Sequence, residues 1–284
     1  MGAESGKLGL GLPLNQSKKI KIKPLTKASL VIRTTLIVLI LMSFYGFLTF
    51  DYKDISLFDG IGATLLNLKV MFFEPHFSHF TFGEAFYQVM ITLGLAVLTT
   101  LFGAIIALIL GLFAAQNLSS RGVSNTIKGF VAFIRAVPTV LWVLIFAVAA
   151  GLGSVAAVIG MTFHSVGYLI KAYSESFEEL DEGVIEALKG SGANWWQIVT
   201  QAVLPSSISY LVSWTFLRFE INFGVAIAMG AAAGAGGIGF DMFMASAFYL
   251  DLREVGVITY FILTIAILLE ITASKIRTNL KVGI

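Results

Sequence analysis

Three ionisable side chains interrupt long apolar runs in this chain: Arg135, Arg218 and Glu220. A charge at the centre of a lipid-facing helix costs at least ~2.5–3.5 kcal/mol, so each should face a bundle interior or a water-filled path. Arg218 and Glu220 stand two apart, project from different faces of a helix, and are not expected to pair with each other. They could line a polar path or an intersubunit seam, or they could make inter-helix salt bridges that only fix packing. Arg135 lies near the start of its apolar run, where its side chain could instead snorkel to headgroups. Pro138 follows three residues later, removes an N–H from its helix and is expected to kink it. Such kinks serve gating and also occur without function. With Asn222, these residues form the candidate set for a translocation path or gate.

Other chemistry is sparse. His164 reads either as a hydrogen-bonded core residue or as a proton relay with Glu220. His76 and His79 are three apart and could share a metal, but Pro75 argues against a regular helix there and no third ligand is evident, so no metal is assigned. The run "GAGGIG" superficially resembles a dinucleotide loop, yet it follows an apolar helix and lacks a βαβ context. No G-x-x-x-x-G-K-[ST] occurs, so the chain is not expected to hold ATP in a P-loop. No Ser/His/Asp set, H-E-x-x-H or pair of inward aspartates points to a hydrolase. With no cysteine, neither disulfides nor thiolate metal sites are available. The chain is read as a non-enzyme without a cofactor of its own.

The elements that would position these residues follow from composition. The 284 residues are 57% hydrophobic and 13% charged, with 24 Phe and a mean hydropathy of +0.88, well outside the roughly 25% charged range of soluble domains. Several apolar runs reach the ~20 residues that cross ~30 Å of hydrocarbon as a helix. Runs such as "LAVLTTLFGAIIALILGLFAA" do not alternate as barrel strands do. The expected fold is an all-α polytopic membrane protein with six transmembrane helices, at about 31–50, 89–115, 129–150, 154–173, 206–229 and 255–273. The chain divides into a basic N-terminal tail (1–30), a first helix (31–50), an external segment (51–85) and a five-helix core (86–284) with an elbow at 175–205.

Lys and Arg set the orientation. With the N-terminus inside, the tail lysines, Arg33, Arg121, Lys128, Lys171, Lys189, Lys275, Arg277 and Lys281 all fall on the cytoplasmic side, and only Lys53, Lys69 and Arg253 fall outside. Both termini and the stretch Ser174–Leu204 are then cytoplasmic. The tail "KKIKIKPLTK" reads as a positive-inside anchor or as a ligand for anionic headgroups. The aromatic segment "NLKVMFFEPHFSHF" could lie along the outer interface. A net charge of +2 gives no reason to expect nucleic acid. No cleavable signal peptide is evident.

The polar stretch Glu178–Pro205 reads as two short helices around a break. Acids at Glu178, Glu179, Asp181 and Glu182 favour a helix N-terminus. Gly190 and Gly192 can supply the left-handed geometry that closes a helix. Asn194 is a candidate N-cap, and Pro205 suits the first turn of the next span. The resulting elbow is expected to expose Trp195, Trp196 and Ile198, either as a docking surface or as interfacial anchors.

This stretch resembles the cytoplasmic loop of ATP-binding-cassette (ABC) importer permeases, whose pattern is E-A-A, three residues, G, nine residues, I-x-L-P. Glu186-Ala187-Leu188, Gly192, Ala202, Leu204 and Pro205 stand at those spacings, with Leu188 and Ala202 departing by small apolar exchanges. "RAVPTVLWVLIFAVAAGLG" (135–153) and "LRFEIN" with "GAAAGAGGIG" (217–222 and 230–239) extend the likeness toward phosphonate-type permeases, from about Phe86 to the C-terminus. A basic residue expected shortly after Asn222 is replaced by Phe223 and Gly224.

The resemblance implies a type I ABC importer permease fold in a bacterial cytoplasmic membrane. It implies a homodimer whose elbows each meet one of two ATPase subunits, which bind ATP and Mg. A substrate-binding protein would meet the outer face near Gly151–Gly153 and Gly234–Phe240. Glu186, Ala187, Gly190, Gly192, Ala193, Asn194, Trp195, Leu204 and Pro205 are the implied coupling residues. The implied substrate is a phosphonate, phosphate ester, phosphite or related oxyanion. The alternatives are an amino-acid or methionine permease of the same class, and an ion-gradient secondary transporter.

Overall fold

The computed structural model describes residues 26–50 and 56–282. The basic tail through residue 25, with its headgroup-binding reading, and Lys53 lie outside the described residues. The chain divides into two units, Met1–Gly60 and Ile61–Ile284.

In the first unit, helix α1 (Lys27–Thr49) starts at Thr26, whose hydroxyl accepts the Ser29 N–H at 3.3 Å. Its 23 residues carry mean hydropathy high enough for a span. Helix α2 (Leu57–Phe73) follows, most of it in the second unit, so part of the segment expected to be external is helical.

The second unit is built on α3 (Phe82–Ala114), α6 (Ser154–Glu178), α9 (Leu204–Ala233) and α11 (Leu252–Val282). Thr81 opens α3 with a reciprocal capping box: its hydroxyl accepts the Glu84 N–H, and the Glu84 carboxylate accepts the Thr81 N–H. Small residues let the long helices approach closely, as in membrane bundles generally. A Cβ on Gly103 of α3 would stand 3.0 Å from that of Ser165 on α6.

Shorter helices complete the unit: α4 (Arg121–Ala136), α5 (Thr139–Ala150), α7 (Glu182–Gly190), α8 (Trp195–Ile198) and α10 (Ile238–Phe243). Among the described residues five helices are long and apolar enough to cross a membrane, and six if the bent α4–α5 pair counts as one broken span. The chain is an all-α, multi-pass membrane protein.

Two elements differ from the expected spans. The run expected as one helix at 129–150 is two, bent by 91° at Val137–Pro138. Pro138 lacks the N–H that would continue the ladder, and it disfavours the helical conformation at Val137, which is extended (φ −92°, ψ 124°). The kink is therefore a full corner. The fifth span begins earlier than expected, because α8 runs through a π-helical turn (Val199–Val203) directly into α9. Pro205 stands just past that turn, and widening to i→i+5 bonding, with Leu204 N–H donating to the Val199 carbonyl, accommodates the proline without ending the helix.

Candidate functional site

The elbow is assembled from local rules. The Asp181 carboxylate accepts the Gly183 N–H at 2.8 Å and so caps α7. At the other end Gly192 takes φ +87°, with its N–H donating to the Lys189 carbonyl and the Ala193 N–H to the Leu188 carbonyl, both at 3.0 Å. This is a Schellman closure, and Leu188 and Ala193 supply its apolar contact by packing against the same core. Gly190 is the last helical residue of α7 and has no positive φ, so Gly192 alone of the two glycines makes the left-handed turn. Asn194 then opens α8: its Oδ1 accepts the Gln197 N–H at 3.0 Å, and Gln197 Oε1 accepts the Asn194 N–H at 2.8 Å.

The aromatic face is divided. Trp196 is 65% exposed. Trp195 is half-buried, donates its indole N–H to the Leu118 carbonyl at 3.0 Å and stacks on Phe113 at 5.5 Å. Ile198 is buried, contrary to the expected exposure, because the helix that carries it continues into α9 and turns that side to the core. Glu186, Ala187, Gly190, Gly192, Asn194 and Pro205 are exposed, and Ala193 and Leu204 are half-buried.

Sequence reasoning missed the base of the elbow. Glu178 Oε1 accepts the Gln116 N–H and Lys128 Nζ, each at 2.8 Å, and Asn117 Nδ2 donates to the Phe177 carbonyl at 2.8 Å. The α3–α4 turn is thereby tied to the end of α6. The polarity of "QN" between two apolar helices is the only sequence signal for it.

These contacts separate two adjacent tryptophans. Trp195→Ala is expected to lower stability by about 2 kcal/mol, less than a fully buried aromatic would cost because Trp195 is half exposed. Trp196→Ala should stay within about 0.5 kcal/mol of the parent. Thermal unfolding of the two purified variants checks the contrast.

The candidate path residues fall in two places. Arg135 and Pro138 are exposed, and Arg135 lines a cleft of ≈ 270 Å³ between α4 and α6 with Lys128, Lys171, Ser174 and the acids Glu175 and Glu178. Arg218 and Asn222 are buried at 3% and 0% exposure within the bundle. Arg218 Nε donates to Ser165 Oγ (3.0 Å), Ser165 Oγ to Asn222 Oδ1 (3.2 Å), and Asn222 Nδ2 to Thr100 Oγ1 (2.9 Å), which itself donates to the Ala96 carbonyl (2.7 Å). The chain crosses α9, α6 and α3. The guanidinium also sits 5.2 Å above the Tyr168 ring, while its Nη2 has no hydrogen-bond partner among the described residues. Glu220 is half-buried on α9. His164 is half-buried too, and its Nδ1 has no hydrogen-bond partner among the described residues.

At the other end of the bundle His79 does not join His76. Its Nδ1 lies 2.8 Å from Glu254 Oε2, and Asp251 stands beside them.

An elbow closed by Gly192 and followed without interruption by a membrane-spanning helix is the arrangement that the E-A-A…G…L-P spacing anticipates. Residues 107–278 match the family described as binding-protein-dependent transport system inner membrane component. The chain belongs to that family. It is similar to the phosphate-import permease protein PhnE of Mycolicibacterium smegmatis, with 30% identity over 66% of this chain and 35% of that protein. It is likewise similar to the phosphite transport system permease protein PtxC of Stutzerimonas stutzeri, with 30% identity over 67% and 69%. The match thus spans about a third of the first relative and two thirds of the second. Among solved structures, an inward-facing MetNI methionine ABC transporter chain shares the fold at a TM-score of 0.60 and 22% identity, over 69% of this chain and 95% of that one. A chain of a bacterial alginate ABC transporter does so at 0.60 and 14%, over 89% and 98%. The protein is a multi-pass inner membrane component of that family, with the type I fold of ABC importer permeases.

Proposed function

We propose that this permease forms the path for a phosphonate, phosphite or related phosphorus oxyanion and draws its energy from a separate ATPase through the elbow. The observation that carries the coupling half is the Gly192 closure, which presents α7 and the exposed Trp196 as one unit while Trp195 beside it stacks on Phe113 of α3 and bonds to the Leu118 carbonyl. The oxyanion half rests on the likeness to PhnE and PtxC, both named for phosphorus oxyanions. Arg218, a buried cation on the α6–α9 seam with a donor to spare, agrees with it.

In this reading two copies of the chain pair, each elbow meets one ATPase subunit that binds ATP and Mg, and a substrate-binding protein delivers the anion at the opposite face. Both termini lie on the cytoplasmic side of a bacterial inner membrane. Closure of the ATPase pair drives the elbows together and opens the helices outward; hydrolysis resets them. A methionine reading has its own support, since a probable D-methionine permease MetI from Pasteurella multocida is 30% identical over 52% of this chain and 73% of that protein.

The test is ATP hydrolysis by this chain co-purified with its ATPase in lipid nanodiscs, with loaded binding proteins and a panel of phosphonate, phosphite, phosphate and methionine. Stimulation by a phosphorus oxyanion alone supports the reading, and stimulation by methionine alone replaces it. A chain that retains no ATPase yet takes up solute on an ion gradient would instead be a secondary transporter. In the same assay Arg218→Met should fold, because a buried charge can often be exchanged for an apolar side chain of similar volume at little cost in stability. Its anion-stimulated ATP hydrolysis should fall about tenfold or more, the loss of a charge-assisted contact of about 1.5–3 kcal/mol.

A further inference from the structure

We propose that His79, Asp251 and Glu254 form a binding site for one first-row divalent cation, at the end of the bundle opposite the elbow. One ligand atom from each residue lies within 4.8 Å of the other two. The imidazole comes from the segment before α3, and the two carboxylates come from the start of α11, 172 and 175 residues away in sequence.

The way each group is held separates this set from a chance cluster of acids. Glu254 is 1% exposed, and its Oε1 accepts three successive backbone N–H groups, from Ser78 (3.1 Å), His79 (2.7 Å) and Phe80 (3.0 Å). That leaves Oε2 directed at His79 Nδ1. Asp251 divides its oxygens in the same way. Its Oδ1 accepts the N–H groups of Arg253 and Glu254, and Oδ2 is left to the Ser78 hydroxyl at 2.7 Å. The Tyr249 ring stacks on His79 at 3.9 Å and 8°, which fixes the imidazole plane. Each carboxylate therefore has one oxygen anchored by the backbone and the other left to side chains, Glu254 Oε2 to His79 and Asp251 Oδ2 to Ser78, the kind of outer-shell support that orients metal ligands.

Spacing and charge agree. On ~2.1 Å bonds two ligands stand about 3 Å apart at an octahedral right angle and about 3.4 Å apart at the tetrahedral angle, so the 2.8 Å between Nδ1 and Oε2 lies nearer the octahedral spacing. Two carboxylates and an imidazole leave negative charge uncompensated, since neighbouring Arg253 turns to Glu74 at 2.9 Å. One nitrogen and two oxygens suit Zn²⁺ or Mn²⁺ better than Ca²⁺, which takes six to eight oxygens. Such an ion would clasp the segment before α3 to the start of α11.

The site is independent of the transported substrate, and so is its test. Tag-free full-length protein in detergent or nanodiscs is titrated calorimetrically with Zn²⁺, Mn²⁺ and Ca²⁺, alongside thermal unfolding with and without each ion. One Zn²⁺ or Mn²⁺ per chain is expected, with a rise in Tm, and Ca²⁺ should bind far more weakly. His79→Ala, at a ring that is 42% exposed and can be removed without opening the core, should weaken binding about 100-fold and abolish the Tm rise. Asp251→Asn should weaken it in the same sense. No stoichiometric binding below millimolar ion, or equal binding by parent and His79→Ala, overturns the site and leaves a hydrogen-bonded latch between His79 and Glu254.

Discussion

Permease carrying Gly192→Asp should insert and fold, and its transport should fall about 5- to 150-fold, the span of a coupling free energy of about 1–3 kcal/mol. No atom outside its chain neighbours lies within 4 Å of where a Cβ on Gly192 would stand, so the substitution meets no steric obstacle. The cost is conformational. At φ +87° an L side chain is strained by about 1–2 kcal/mol, enough to favour another closure of α7 and to re-aim the helix. Asp adds a negative charge on the exposed turn. Gly192→Asn separates the two effects, since Asn tolerates left-handed geometry and carries no charge. Uptake into proteoliposomes, with hydrolysis by the attached ATPase measured in parallel, gives the result. Hydrolysis that continues while uptake stops locates the defect in the hinge; undiminished uptake by Gly192→Asp refutes the elbow as the coupling element.

The hinge was legible in the sequence because capping chemistry is local: Asp181, Gly192 and Asn194 each act within a few residues of their own position. The span boundaries were less so. From Gly129 to Ala150 hydropathy is continuous, and a corner inside an apolar run leaves no mark on an average over it. What marks it is Pro138, together with Arg121, Lys128 and Arg135 recurring every seventh residue, a stripe on one face of α4 that stops where the corner begins. The burial of Ile198 was hidden for the opposite reason, since a Leu-Pro pair read as a fresh start when a π-helical turn in fact carries the helix through. The His79 cluster was beyond reach, because two of its groups lie 172 and 175 residues away from the third and no periodicity links them. The Arg218 chain was half legible: charge in an apolar run announced the residue, while Ser165 and Thr100, common in any membrane helix, gave no sign of being its partners.

Replacing Gly239 by alanine should strongly destabilise the fold, although it adds a single methyl group. Its Cβ would stand 1.9 Å from the carbonyl oxygen of Ile227 and 2.6 Å from the carbonyl carbon, both backbone atoms of α9. A flexible side chain could swing away; a helix backbone cannot. Either α10 lifts off α9 or α9 bends, and the buried Ile238 beside it loses its seat in the core shared with Val89 and Ile258. The expected loss is about 3 kcal/mol, at the upper end of overpacking penalties. Against an ordinary stability of about 5–15 kcal/mol, that removes between about a fifth and three fifths of the margin. Size-exclusion profiles and melting curves of Gly239→Ala beside Gly94→Ala, where nothing lies within 4 Å of the added carbon, measure the difference. Equal behaviour of the two would mean that α10 can separate from α9 at no cost.

From Trp195 to Ala233 the backbone is one helix of 39 residues, about 58 Å end to end at ~1.5 Å per residue, with no corner like the one at Pro138. A sideways step of roughly 5 Å at one end of such a rod tilts it by about 5°, and the far end must answer. Leverage of this kind is symmetric. Whatever favours one tilt at the Ala233 end changes, by the same free energy, how firmly the Trp195 end is gripped. News of an arriving solute and the stroke that follows it can therefore travel in opposite directions along a single piece of secondary structure.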